Sequence, residues 1–158
     1  MIPLSNPTIL IMAKNILVTG AFGLVGSDLV PALQKKYGKA HVYALYHSHG
    51  DTKADVTLIE GDVRDKAGLE KIIKKFKIST VYHLAGLLSV GGEKNPDLAW
   101  DVNMNGLRNV LELAREYTLS VFWPSSIAAF GPTTPKVNTP QHTVIEPTTI
   151  YGVTKYTG

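Results

Sequence analysis

The chain has 158 residues, with 14 Gly, 9 Pro, no Cys and 44% apolar residues. One domain fits that length, and a net charge of +3, spread among helical acids, makes no case for nucleic acid. The lack of cysteine excludes a disulfide scaffold and thiolate chemistry. No apolar run reaches the roughly 18 residues of a membrane span, so the expectation is a cytoplasmic globular chain.

Residues 1–13, MIPLSNPTILIMA, lack the basic start, long apolar stretch and cleavage site of a secretory signal. They read as an N-terminal extension: a tail, or a start upstream of a natural initiator at Met12. A strand added at a sheet edge is the alternative. Lys14–Thr19 (KNILVT) predicts a first strand. The turn Gly20-Ala21-Phe22-Gly23-Leu24-Val25-Gly26 follows, then a helix to Gly38 with Leu24, Val25, Leu29, Val30 and Leu33 at helical spacing. Val42–Tyr46 and Val56–Glu60 predict the second and third strands. Asp65 is placed to cap a helix with Leu69, Ile72, Ile73 and Phe76 on one face.

Thr80–Ala85 predicts a fourth strand. Pro96 opens a long helix whose Leu98, Val102, Val110, Leu111 and Ala114 hold the 3.6-residue period. Ser120–Trp123 predicts a fifth strand, and Pro132–Pro147, rich in Pro, Thr and Asn, is loop. Thr149–Gly158 reads as the first turns of a helix that breaks off, so the chain reads as a fragment and this short helix as marginal. Strands alternating with helices, the strands continuously apolar, predict α/β architecture: a Rossmann-like, doubly wound parallel sheet. It is truncated after the fifth strand and the start of the last helix. Residues 14–158 then form an incomplete dinucleotide-binding domain.

Gly20, Gly23 and Gly26 stand between a strand and a helix, the setting a dinucleotide site requires. Gly20 permits the tight turn, Gly23 lets backbone amides approach a pyrophosphate, and Gly26 lets the helix lie close to the sheet. The helix N-terminus supplies amide donors. The alternative is a plain tight turn. Tyr151 and Lys155, four apart, project from one helix face; a cation beside a phenol favours the phenolate a general base requires, although an ordinary exposed pair has the same spacing. Ser125-Ser126 follows the fifth strand at the end where such sheets bind ligands, or is simply solvated. Asp62, closing the third strand, could accept from an adenine amine or cap the next turn. His83, in an apolar strand, reads as a satisfied core imidazole. His41, His47, His49 and His142 show no metal-ligand spacing, and no metal is expected.

In order along the chain stand TGAFGLVG from Thr19, GDVR at Gly61, HLAG at His83, NMNG at Asn103, PSSIAAFG at Pro124 and YGVTK at Tyr151. Together they resemble the extended short-chain dehydrogenase/reductase superfamily, which includes the sugar-nucleotide epimerases and dehydratases. The stretches EKNPDLAWDVNMNG, VFWPSSIAAFGP and NTPQ look most like the zinc-independent L-threonine 3-dehydrogenases. The resemblance runs from about Lys14 to the last residue and covers roughly the first half of such an enzyme.

It implies NAD as cofactor, with Gly20, Phe22, Gly23, Leu24, Val25 and Gly26 around the pyrophosphate and Asp62 and Val63 flanking the adenine. Leu84, Ala85 and Gly86 would line the cofactor's path, supported by Asn103. Lys155 would hold the nicotinamide ribose, Tyr151 act as base and Ser126 hydrogen-bond the substrate hydroxyl, with Ser125 close behind. The implied reaction oxidises the L-threonine β-hydroxyl to give 2-amino-3-oxobutyrate and NADH, in a parent that is a homodimer. Tyr46 and His47 stand where an acid normally accepts from the adenine ribose, with Asp51 later, and no Arg is expected there to receive a 2′-phosphate. The alternatives are a sugar-nucleotide epimerase or dehydratase, against which Leu87-Leu88-Ser89 offers nothing cationic, a non-catalytic nucleotide-binding fragment, and a truncated product that folds and self-associates. This chain alone is expected to be inactive.

Overall fold

The computed structural model of the chain describes residues 14–47 and 55–158. The extension 1–13, His49 and Asp51 lie outside the described residues. Strands β1 (Asn15–Thr19), β2 (Val42–Tyr46), β3 (Thr57–Glu60), β4 (Ile78–His83) and β5 (Ser120–Phe122) form one parallel sheet in the order β3-β2-β1-β4-β5. This is the expected doubly wound arrangement. The chain leaves β1 toward β2 on one side, and β4 returns on the other, so the carboxyl ends of β1 and β4 flank the switch point.

The continuous apolar run of β1 follows from cover on both faces. Leu17 packs with Leu69 and Ile73 of α2 (Lys66–Phe76) and with Val110 and Leu113 of α5 (Gly106–Tyr117), whereas Ile16 and Val18 pack with Val30 and Leu33 of α1 (Leu24–Tyr37). The Asp65 carboxylate accepts from the Gly68 amide at 3.0 Å and so caps α2 as its sequence suggests. Strand β4 starts two residues earlier than expected, at Ile78, and ends at His83, so Leu84 and Ala85 already belong to the turn beyond it.

The long helix expected from Pro96 is real but not uniform. It comprises α4 (Pro96–Trp100), a wider π turn at Asp101–Asn105, and α5. Asn95 caps its start, accepting from the Leu98 amide at 3.1 Å. Leu107, Val110 and Leu113 face the sheet, whereas Leu111, expected on that face, is 46% exposed. Adjacent helical residues stand about 100° apart, and Leu111 follows directly on the inward Val110. A short helix α3 (Ser89–Lys94), not foreseen because two of its six residues are glycine, lies between β4 and α4. The final segment forms α6 (Ile150–Thr157), capped by Thr149, whose hydroxyl accepts from the Gly152 amide at 3.0 Å. Expected to be marginal alone, α6 gains tertiary support by packing on α3, α4 and the π turn.

Thr19 and His83 face each other across the β1–β4 pairing, fully buried, with Thr19 Oγ1 2.9 Å from His83 Nδ1. Thr19 Oγ1 also accepts from the amides of Leu84 (3.2 Å) and Ala85 (3.1 Å). A hydroxyl that accepts twice has its own proton left to give, so it donates to Nδ1, and the neutral imidazole carries its hydrogen on Nε2. That Nε2 has no protein partner, so the expectation of a satisfied core histidine is corrected: only one ring nitrogen is satisfied. Burial, with a contribution from the Lys155 charge, pulls the His83 pKa down to about 4.

The consequence is a pH dependence of defined sign. Below pH 6.5 the unfolded chain takes up a proton that the folded chain refuses until about pH 4. Folding free energy is therefore lost on acidification through that window and is unaffected by His83 above it. The full loss is on the order of 3 kcal/mol. Urea unfolding at pH 7.5 and pH 4.5 should show the wild type losing more stability than His83→Asn; parallel losses in the two proteins would refute this assignment.

Candidate active site

The carboxyl ends of β1 to β4 surround a cleft of about 430 Å³, a size in the range of small-molecule and cofactor sites. Gly20, Ala21, Phe22 and Gly23 form one wall, Tyr46 and His47 another, and Asp62, Val63 and Arg64 a third. Ala85, Gly86 and Leu87, from the turn after β4, close it together with Leu98 of α4 and Val102 of the π turn.

The three turn glycines have different reasons. Gly20 sits at φ +65°, and a Cβ there would stand 2.7 Å from the Ala85 nitrogen. A Cβ on Gly26 would stand 2.6 Å from the Ala21 carbonyl carbon, so glycine is what lets α1 pack against the turn. At Gly23, with φ −76°, a Cβ would meet only the Gly20 oxygen, at 3.3 Å. The protein makes little demand for glycine there, and what a side chain would obstruct is the cleft. Leu24 (88% exposed) and Val25 (58% exposed) begin α1 with side chains turned to solvent; what they can offer a ligand is their main chain, since the first amides of a helix have no partner within it.

At the opposite wall, Asp62 is engaged by its own loop. Its carboxylate accepts from the Arg64 amide at 2.9 Å and from the Arg64 guanidinium, with Nη2 at 2.6 Å. The guanidinium thereby holds the Asp62 carboxyl below the usual carboxylate range, with a smaller contribution from His47, whose Nε2 lies 3.3 Å away. Arg64 Nη1 also reaches Asp101 of the π turn, at 3.5 Å. The expectation that no arginine stands near this end of the cleft is therefore corrected, because Arg64 lines it. The sequence places Arg64 on the far side of β3 from the β2 end, and only the fold brings the two together. Its charge is already shared between two carboxylates.

Asn103 is buried and not in the cleft wall itself. Its Oδ1 accepts from the Leu87 amide at 2.7 Å, and its Nδ2 donates to the Leu87 carbonyl (3.0 Å) and the Thr154 hydroxyl (3.1 Å). The turn after β4 is thus fastened to α6. Leu84 and Gly26 likewise stand behind the wall, Leu84 with the α1-side core and Gly26 beneath the turn.

The second group of candidates gathers at the end of β5. Ser126, half-buried, caps the short 3₁₀ turn Ile127–Ala129, its hydroxyl accepting from the Ala128 amide at 3.2 Å. That turn packs on α6, where Gly152 leaves room for the Ala128 carbonyl. Lys155 reaches back from α6: its ammonium donates to the Pro124 carbonyl at 2.8 Å, lies 4.4 Å from the Trp123 ring centre and 5.8 Å from that of Tyr151. Burial holds its pKa below the ordinary lysine value. Ser125, Ser126, Tyr151 and Lys155 are therefore brought to one end of the sheet. Arg64, Leu98, Val102 and Trp123 were not recognised from sequence, and only for Trp123, adjoining the strand-end serines, was there a signal of position.

Fold and cleft together define a Rossmann-like, doubly wound α/β protein with a glycine-rich turn at its switch point. The chain belongs to the NAD dependent epimerase/dehydratase family, whose profile matches residues 16–158. It is 48% identical over 148 residues to an uncharacterized epimerase/dehydratase of Staphylococcus saprophyticus, covering 92% of this chain and 46% of that protein. A monomeric L-threonine 3-dehydrogenase from a metagenome superposes with a TM-score of 0.86 at 48% identity, over 90% of this chain and 46% of that one. UDP-glucose 4-epimerase of Thermus thermophilus, in complex with NAD, superposes with a TM-score of 0.73 at 27% identity, over 90% of this chain and 47% of the epimerase. The chain spans about half the length of the relatives it matches.

The glycine geometry makes a stability prediction. Gly26→Ala should lower stability by about 1–3 kcal/mol through overpacking, and Gly20→Ala by at least as much, because its left-handed backbone (about 1–2 kcal/mol) adds to the 2.7 Å clash with the Ala85 nitrogen. Gly23→Ala should melt within a degree or two of wild type, and a large loss there would show that the turn itself, not the cleft, requires that glycine.

Proposed function

We propose that residues 14–158 are the cofactor-binding portion of an NAD-dependent dehydrogenase that oxidises the β-hydroxyl of L-threonine to 2-amino-3-oxobutyrate. The observation that carries this reading is convergence. A cleft with one unobstructed glycine and the trio Ser126, Tyr151 and Lys155 lie at the same edge of the sheet, joined through Asn103. The 48% identity to an L-threonine 3-dehydrogenase, against 27% to an epimerase, favours the threonine reading over the sugar-nucleotide one.

The residues present fit NAD. The amides of Leu24 and Val25 would face the pyrophosphate over Gly20, Phe22 and Gly23, the Gly23 amide being already given to the Gly20 carbonyl at 3.0 Å, with Gly26 keeping the helix close. Asp62 and Val63 would flank the adenine, and Ala85 and Gly86, backed by Leu84 and Asn103, would line the path to the nicotinamide. Bound NAD supplies the hydride acceptor. Tyr151, as phenolate, takes the hydroxyl proton of the substrate. Ser126 already accepts one hydrogen bond, so its own hydrogen is free to be donated to the substrate oxygen. Lys155 spends one hydrogen on Pro124 and has others for the nicotinamide ribose. In the overall reaction the substrate loses a hydride from carbon and a proton from oxygen, giving the ketone, NADH and a proton. These residues alone are proposed to bind without turning over, since they span about half the length of the dehydrogenases they match.

Calorimetric titration of this chain should show NAD⁺ binding and weaker NADP⁺ binding, because Arg64 is committed to Asp62 and Asp101. Gly23→Ala should cut the NAD⁺ affinity at least tenfold while leaving the fold intact. In a protein of full dehydrogenase length that contains these residues, L-threonine should drive NADH formation at 340 nm and Tyr151→Phe should abolish it. Turnover of a UDP-sugar without threonine oxidation would replace this reading with the epimerase one, and NAD⁺ binding without turnover of either would leave a nucleotide-binding module.

A further inference from the structure

Lys155 is held by two groups that no cofactor-site pattern in the sequence includes. The Pro124 carbonyl accepts from its ammonium at 2.8 Å, and the Trp123 ring centre lies 4.4 Å from it. The second distance is well inside the roughly 6 Å at which an indole face attracts a cation. Both residues come from the two positions directly after β5, so the strand end itself carries the mount. Trp123 is half-buried and packs against the end of α6, where a Cβ on Gly158 would stand 2.7 Å from its ring.

We propose that Trp123 is a positioning residue for Lys155, its indole face and the Pro124 carbonyl holding the ammonium charged and in place on the Tyr151 side of α6. Two opposed effects meet at this cation. Burial disfavours the charge and holds the pKa of Lys155 below the ordinary lysine value, while the ring quadrupole and the carbonyl favour it. Among the described residues, the titratable groups that face it are Tyr151 on its own helix and His83 from β4, the latter neutral above about pH 4. Neither supplies a negative counter-charge while Tyr151 is protonated. In the absence of a carboxylate partner, the ring face and the Pro124 carbonyl are the groups that favour the ammonium, and its remaining hydrogens are left free. The proposal rests on the reading of Tyr151 and Lys155 as the reacting pair for its functional meaning, but its physical content does not need turnover.

The test is the side-chain carbon–proton correlation spectrum of this chain without cofactor, with the Lys155 methylene next to the ammonium assigned by its loss in Lys155→Met. Its protons should be shifted upfield by the indole ring current. Trp123→Leu, which keeps an apolar neighbour but removes the ring, should abolish that shift and lower the Lys155 titration midpoint by about half a unit to one unit. Trp123→Phe should restore both in part. An unchanged resonance and midpoint in Trp123→Leu would overturn the proposal. If the leucine variant does not fold, the phenylalanine variant decides: an intermediate shift supports the proposal and a wild-type spectrum refutes it. Because the resonance is read without cofactor, a failure of threonine oxidation in a protein of full dehydrogenase length bears on the functional reading alone.

Discussion

One buried amide joins the two parts of this site. Asn103 binds both polar groups of the Leu87 backbone and the hydroxyl of Thr154. The turn that closes the cleft and the helix that carries Tyr151 and Lys155 are therefore tied to the same side chain. The bond to Thr154 is buried and the two to Leu87 are partly so, and a buried donor or acceptor left unpaired costs about 1–3 kcal/mol. Removing the amide would strand several such groups together. The π turn at Asp101–Asn105 is what allows this: the wider turn sits between a helix that packs on α6 and a helix that packs on the sheet, and Asn103 lies at its inward middle. Such turns are rare and concentrate at functional sites.

The opposite end of the cleft is organised by charge rather than by neutral hydrogen bonds. Arg64 bridges Asp62, in its own loop, to Asp101 in the same π turn. That strap runs from the loop after β3 to the helix behind the cleft. The Asp62 carboxylate is engaged by Arg64, with His47 beside it, so much of its accepting capacity is already taken. That end of the cleft is thus shaped by the Asp62–Arg64 pair as a unit, with Asp101 as a second carboxylate on the same guanidinium.

How much of this could be read from the sequence depends on the range of the interaction. Strands β1, β2 and β3 and the cap of α2 are set by residues within a few positions of one another, and period and capping chemistry reveal them. The glycine turn was legible for the same reason, although the distinct duty of Gly23 shows only when the neighbours of an added Cβ are known. The π turn leaves no mark in a hydrophobic period, and Leu111 was placed on the wrong face because it directly follows the inward Val110. Arg64 at the β2 end, the unpartnered Nε2 of His83 and the seat of Lys155 on Trp123 each join residues distant in sequence, and no local pattern encodes them. Ser126, Tyr151 and Lys155 were legible as residue types in order, but not as groups with particular hydrogen bonds already committed.

Those commitments decide what each group has left to give. The Ser126 oxygen accepts from the Ala128 amide, so its hydrogen is the part available to a ligand. Lys155 gives one hydrogen to Pro124 and one face to Trp123. His83, fixed through Thr19, presents a buried N–H and stays uncharged above about pH 4, which spares Lys155 a second positive charge beside it. A protonated His83 would disfavour the ammonium, and a deprotonated Lys155 would lose its hold on the indole. The charge pattern at the end of β5 is therefore one neutral imidazole and one ammonium, and the same burial that costs Lys155 stability keeps His83 from competing with it.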